Sequence, residues 1–87
     1  MQLKKLIIDV LIPHEPDILI YVEKLCEIEQ IENVNIKVEE VDDRTKSLRI
    51  TIEGKHITFE EIKSTIERLG GAIHSIDEVF ATSRDDV

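Results

Sequence analysis

The residues in this chain whose types and spacing could do chemistry are a few acids and histidines near its two ends. Asp9 interrupts an apolar run close to the N-terminus. Asp77 and Glu78 stand together in the segment His74-Ser75-Ile76-Asp77-Glu78-Val79. Oxygen-rich sets suit a hard cation, so Asp9, Asp77 and Glu78 form a candidate Ca²⁺ or Mg²⁺ site if the fold joins the two segments. Their spacing is not that of an EF-hand loop. Two carboxylates on neighbouring strands repel unless something answers them: a salt bridge from Arg49, a divalent cation, or a base from a neighbouring subunit. His14 and Glu15, with His74, make a second candidate, a loop site that could take a ligand, hold a metal or move a proton. Nothing resembles a nucleophile with its base, because Ser75 and His74 are adjacent on a strand and are expected on opposite faces. Cys26 is the only cysteine, which leaves no internal disulfide and no CxxC pair. Gly70-Gly71 closes a helix instead of opening one, so there is no phosphate-binding loop.

The elements that must position these residues can be read from apolar periodicity. Leu6, Ile8, Val10 and Ile12 alternate with Ile7, Asp9 and Leu11, the pattern of a strand. Pro13 and Pro16 punctuate it, and Pro16 suits the first position of a helix whose stripe is Ile18, Tyr21, Val22, Leu25 and Ile28. Cys26 falls on that helix as a small hydrophobe. Val34, Ile36 and Val38 alternate with Asn35, Lys37 and Glu39, and the turn 42–45 leads by a hairpin into Leu48, Ile50 and Ile52. Thr58 and Glu61 have capping-box spacing, with Ile57 and Ile62 placed to close a hydrophobic staple. Phe59, Ile62, Ile66 and Leu69 then form the second helical stripe, and a last strand runs over residues 72–80. His56 is a solvated loop residue. The order βαββαβ predicts an α+β, ferredoxin-like sandwich, a four-stranded antiparallel sheet with two helices on one face. One domain spans residues 1–87, with 82–87 a frayed tail.

Composition narrows the function classes. At 87 residues the chain buries only about 60–65% of its unfolded surface, a size at which oligomerisation is a common remedy. A net charge of −8, no basic cluster beyond Lys4-Lys5 and only three aromatic residues argue against nucleic acid. The apolar run 6–12 is too short to span a bilayer, so the expectation is a cytoplasmic protein with no membrane partner.

The helix-free face of the sheet should hold whatever specificity exists. It is expected to show Ile7, Asp9 and Leu11 from the first strand and Arg49, Thr51 and Glu53 from the third. The second strand adds Asn35, Lys37, Glu39 and Val41. Ile73, Ser75, Asp77 and Val79 are the expected contribution of the last strand, with Glu78 and His74 directed to the other side. Asp9 would then lie close to Asp77. Ile7, Leu11, Ile73 and Val79 would form one exposed apolar patch, a candidate face for self-association, with the edge strands as the alternative route.

Several stretches resemble an archaeal family of uncharacterised proteins, the domain of unknown function 211. They are Asp9-Val10-Leu11 leading to Pro13-His14-Glu15-Pro16, the pair Asn35-Ile36, Ile50-Thr51-Ile52-Glu53-Gly54, and Gly70-Gly71-Ala72-Ile73-His74-Ser75-Ile76-Asp77-Glu78-Val79. Ile12 departs from the pattern, standing where a basic residue is expected. The resemblance implies a ferredoxin-like fold and a homo-oligomer, with a ring among its possible forms. It implies no activity. Fold alone does not choose a function. Metallochaperone, RNA-binding and acylphosphatase roles are disfavoured by the missing Cys pair, the missing exposed aromatics on the strands of Ile7 and Leu48–Ile52, and the missing anion-binding Arg after the first strand. The leading expectation is a non-enzymatic, self-assembling binding or regulatory module, with a divalent cation at Asp9, Asp77 and Glu78 as its candidate ligand. The alternatives are a small-molecule (metabolite) sensor, or a hydrolytic enzyme using His14 or His74 with nearby carboxylates.

Overall fold

The computed structural model describes residues 1–84. Strand β1 (Gln2–Pro13) is followed by α1 (Ile18–Cys26), β2 (Ile31–Val41), β3 (Thr45–Gly54), α2 (Phe59–Arg68) and β4 (Ala72–Thr82). The four strands form one antiparallel sheet in the order β2-β3-β1-β4, which leaves β2 and β4 as its edges. This is the expected α+β, ferredoxin-like sandwich. Thr82 ends β4, so the strand runs into the stretch expected to fray, and residues 85–87 lie outside the described residues. Among the described residues no helix is long and apolar enough to cross a membrane.

The strict alternation of β1 and β3 decides where the core lies. Leu6, Ile8, Val10 and Ile12, with Leu48, Ile50 and Ile52, are buried beneath the helices, where Tyr21, Leu25, Ile57, Ile62 and Ile66 meet them. Tyr21, the largest fully buried side chain, donates its hydroxyl to the Leu69 carbonyl at 3.0 Å and so ties α1 to the end of α2. Burial pushes its phenol above the usual tyrosine range.

The helix ends depart from expectation in detail. Helix α1 begins at Ile18, two residues after Pro16, because Asp17 is the N-cap: its Oδ1 accepts from the Leu19 amide at 2.6 Å. The Glu15–Pro16 bond in the preceding loop is cis. Thr58 does cap α2, but through its carbonyl, which accepts from the Glu61 and Ile62 amides. Its hydroxyl makes no cap bond, so the capping box does not form. Ile57 and Ile62 are both buried, as a staple requires. Cys26 is exposed and does not serve as a small core residue. Gly70, at φ 95°, takes the left-handed turn that ends α2.

Helices and strands differ in reach. An 11-residue strand such as β4 spans about 36 Å at roughly 3.3 Å per residue. The helices, of 9 and 10 residues, span only about 14 Å at 1.5 Å per residue. Two short helices cannot cover the whole of one face of such a sheet, and apolar side chains on the helix side of both edge strands stay partly exposed.

Candidate functional site

The register across the sheet places each acid. Residues directly opposite one another in neighbouring strands share a face. On the helix-free face one row runs across all four strands as Lys37, Arg49, Asp9 and Ser75. The next row is Asn35, Thr51, Ile7 and Glu78. Strand β4 reaches this register only by skipping residues. Its pairing with β1 shifts between Ile7 and Ile8 and again between Asp9 and Val10, which leaves Asp77 and His74 as extra residues.

The two bulges correct the expected facing of β4. Ile73 lies opposite Val10, Ile76 opposite Ile8 and Val79 opposite Leu6, so all three belong to the helix side. Ser75 shares the helix-free face with Asp9, and Glu78, expected on the other side, shares it with Ile7. The expected patch of Ile7, Leu11, Ile73 and Val79 therefore does not exist as one surface. Ile7 and Leu11 lie on one side of the sheet, Ile73 and Val79 on the other. A shift in β2 between Val38 and Glu40 has a similar effect on Val41. It falls opposite Lys46, itself opposite Ile12, and joins the helix side.

Charge on the helix-free face is answered within the chain in part. The Arg49 Nε donates to Glu39 Oε1 at 3.2 Å, and its Nη2 lies 3.7 Å from Asp77 Oδ2, reaching past β1 to do so. Ser75 Oγ donates to Asp77 Oδ1 at 2.8 Å. Lys5 Nζ is 3.1 Å from Glu78 Oε2. Of the three answers open to the acids, the structure shows the salt bridge from Arg49 for Asp77 only; Asp9, opposite Arg49 in the register, has no ion pair among the described residues. Among the described residues no group of three or more His, Cys, Asp or Glu side chains is placed to hold a metal ion, so Asp9, Asp77 and Glu78 do not form a ligand set within one chain.

The histidine candidate also separates. His14 Nε2 lies 2.8 Å from the Asp42 carbonyl, which can only accept, so this nitrogen carries the proton. The bond pins the β1–α1 loop to the β2–β3 turn, itself closed by the Asp42 amide donating to the Thr45 carbonyl at 2.8 Å. His74 is the extra residue of the second bulge. Among the described residues no hydrogen bond or ion pair joins His14, Glu15 and His74. His56, exposed as expected, has the positive φ of 53° at the turn before α2.

Two features escape the sequence patterns. A polar cleft of about 690 Å³ lies beside the helices, with Lys24, Glu27, Glu61, Ser64, Thr65 and Arg68 in its wall. The other is the outer rim of the helix side. Ile76 and Val79 are 49% and 57% exposed on β4, and Val38 and Val41 are exposed on β2. The signal for β4 is a three-residue apolar period, Ile73, Ile76 and Val79, with the polar pairs His74-Ser75 and Asp77-Glu78 between. A plain strand alternates in twos; a strand with two bulges can keep its apolar residues on one side at threes.

Comparison with known proteins agrees with the sequence resemblance. Residues 4–84 match the family model of domain of unknown function 211, described as uncharacterised ArCR. The chain is also similar to an uncharacterised protein of Methanocaldococcus jannaschii, 47% identical over 79 residues, covering 91% of this chain and 81% of that protein. The chain belongs to the domain of unknown function 211 family.

Proposed function

We propose that the protein is a non-enzymatic, self-assembling module whose sheet edges join copies of itself, a scaffold for binding or regulation. One observation carries this reading. Both outer strands are 11 residues long, and both present exposed apolar side chains on the helix side of the sheet. Long apolar edges invite pairing with another chain, and a domain this small gains from covering them. Asp77 and Glu78, already matched by Arg49 and Lys5, act as surface charge in this reading.

The test is solution mass by light scattering at tens of micromolar, once in chelator and once with added Ca²⁺. A multiple of 10.0 kDa that is the same in both supports the proposal. A monomer in both refutes it. A mass that rises with Ca²⁺ and falls in chelator would place Asp9, Asp77 and Glu78 at a cation site shared between copies. Small-molecule sensing is the second reading, favoured by the polar cleft at Lys24 and Arg68. It expects some charged metabolite to raise the melting temperature, and to lose that effect in Arg68→Ala. A flat metabolite screen removes it.

A further inference from the structure

Three register rows on the helix side run from edge to edge without a polar residue. They are Val38-Leu48-Val10-Ile73, Ile36-Ile50-Ile8-Ile76 and Val34-Ile52-Leu6-Val79. Each begins on β2 and ends on β4. The rows are filled in the middle by fully buried residues and open at both ends, where Val38, Ile76 and Val79 are exposed. The same register on the helix-free face gives the row Lys37-Arg49-Asp9-Ser75, with Asp77 bonded to Ser75. Lys37 stands opposite Arg49, a like charge, and among the described residues it has no ion-pair partner. The β4 edge carries Asp77 and Glu78 on that face.

From these rows we infer that the partner surface for β4 is β2 of a second copy, laid antiparallel along it in the register that continues the rows. This deepens the self-assembly reading and rests on it. Because β2 and β4 run in opposite directions within one sheet, a second copy in the same orientation extends the antiparallel order without reversal. Ile73 then meets the second copy's Val38, Ile76 meets Ile36, and Val79 meets Val34. Lys37 of the second copy comes beside Ser75 and diagonal to Asp77, which supplies the acid it lacks in its own chain. Alternate pairings fit less well. Two β4 edges set antiparallel about their midpoint bring Asp77 against Asp77, and like charges opposite one another are destabilising. The contact is heterologous, since each copy gives a different edge. It closes into a ring where the rotation between copies permits and grows into a filament where it does not.

Charge reversal tests the register. Lys37→Glu sets a second carboxylate against Asp77 in any contact between identical copies, and Asp77→Lys sets a second ammonium against Lys37. Each variant alone is expected to run as a folded monomer. An equimolar mixture of the two is expected to assemble, because the contact that joins the unchanged Lys37 edge of one variant to the unchanged Asp77 edge of the other restores opposite charges, and the contact between their two altered edges also joins opposite charges. Either variant keeping the wild-type mass overturns the β2–β4 assignment while leaving self-assembly standing; so does a mixture of folded variants that stays monomeric. A wild-type monomer overturns the reading beneath both. Zero-length carbodiimide coupling of the wild-type protein gives a readout that needs no variant. Within one chain β2 and β4 are three strand spacings apart, about 14 Å, too far for a direct amide. Lys37 coupled to Asp77 or Glu78 therefore reports a contact between copies. Coupling in which Lys37 joins only other acids overturns the assignment.

Discussion

Tyr21 offers the sharpest thermodynamic test of the core. Its ring is fully buried, and its hydroxyl donates to the Leu69 carbonyl at 3.0 Å. Replacing it by Phe keeps the ring, removes the donor and leaves a carbonyl at the end of α2 without that bond. At neutral pH the expected loss is about 1–1.5 kcal/mol, the usual net worth of such a bond. For a domain of this size that corresponds to a fall of roughly 4–10 °C in melting temperature.

The pH dependence separates this bond from a packing effect. Burial raises the folded phenol above its ordinary 10.0, whereas the unfolded chain ionises near that value. The stabilisation is therefore fully present below pH 10 and is lost as pH rises through the folded pKa. At pH 11 the unfolded phenol is about nine-tenths ionised, which favours unfolding by up to about 1.4 kcal/mol. The wild-type advantage over Tyr21→Phe should shrink towards zero between pH 9 and 11. Urea unfolding of both proteins, followed by circular dichroism across that range, measures it. An advantage that stays constant with pH would refute the reasoning, because it would mean that the phenol titrates alike in both states.

Two further substitutions probe the sheet. Gly54→Ala should cost roughly 2–4 kcal/mol, since a Cβ there would overlap the Gln30 carbonyl oxygen and sit 3.0 Å from the Ile31 Cα, all of it backbone. Thermal unfolding checks this, and a loss under about 0.5 kcal/mol would show that the β2 start can shift freely. Gln2→Met should stabilise by about 1–2 kcal/mol, because the Gln2 amide is buried with neither its nitrogen nor its oxygen hydrogen-bonded. Destabilisation in chemical denaturation would instead mean that a bound water satisfies that amide.

Sequence pattern reached the core of the fold more readily than its rim, and the reason is physical. Strands β1 and β3 are central, so each of their even-numbered apolar residues from Leu6 to Ile12 and Leu48 to Ile52 must face the helices, and the period of two survives intact. Edge strands have one free side and tolerate an extra residue. Each bulge reverses the parity of the residues beyond it, which moved Val79 and Glu78 to the faces opposite those expected. Val41 changed sides for the same reason on β2. The pairing of Arg49 with Asp77 was legible as a possibility because both residues are polar positions of strands that share a face. Its reach past β1 was not, since pattern gives the row but not the length of a side chain. Gln2 was silent: nothing about a terminal polar residue announces a buried amide.

The family's likeness over residues 4–84 covers the bulged strand as well as the regular ones. A bulge ordinarily blunts an edge by twisting it away from passing strands. Here the two bulges do something more selective. They keep Ile73, Ile76 and Val79 on the helix side while gathering Ser75, Asp77 and Glu78 on the other. A regular 11-residue strand would have placed Ile73 and Val79 on the same face as Asp77, as strict alternation demands. Between Ile73 and Val79 the bulged strand instead puts its apolar residues on one side and Ser75, Asp77 and Glu78 on the other. Such an edge discriminates: a passing strand must match apolar residues at three rows and supply positive charge between them. Within this chain β2 meets both conditions, through Val34, Ile36, Val38 and Lys37. On the proposed pairing, the irregularity that hides β4 from simple pattern reading is what selects its partner edge.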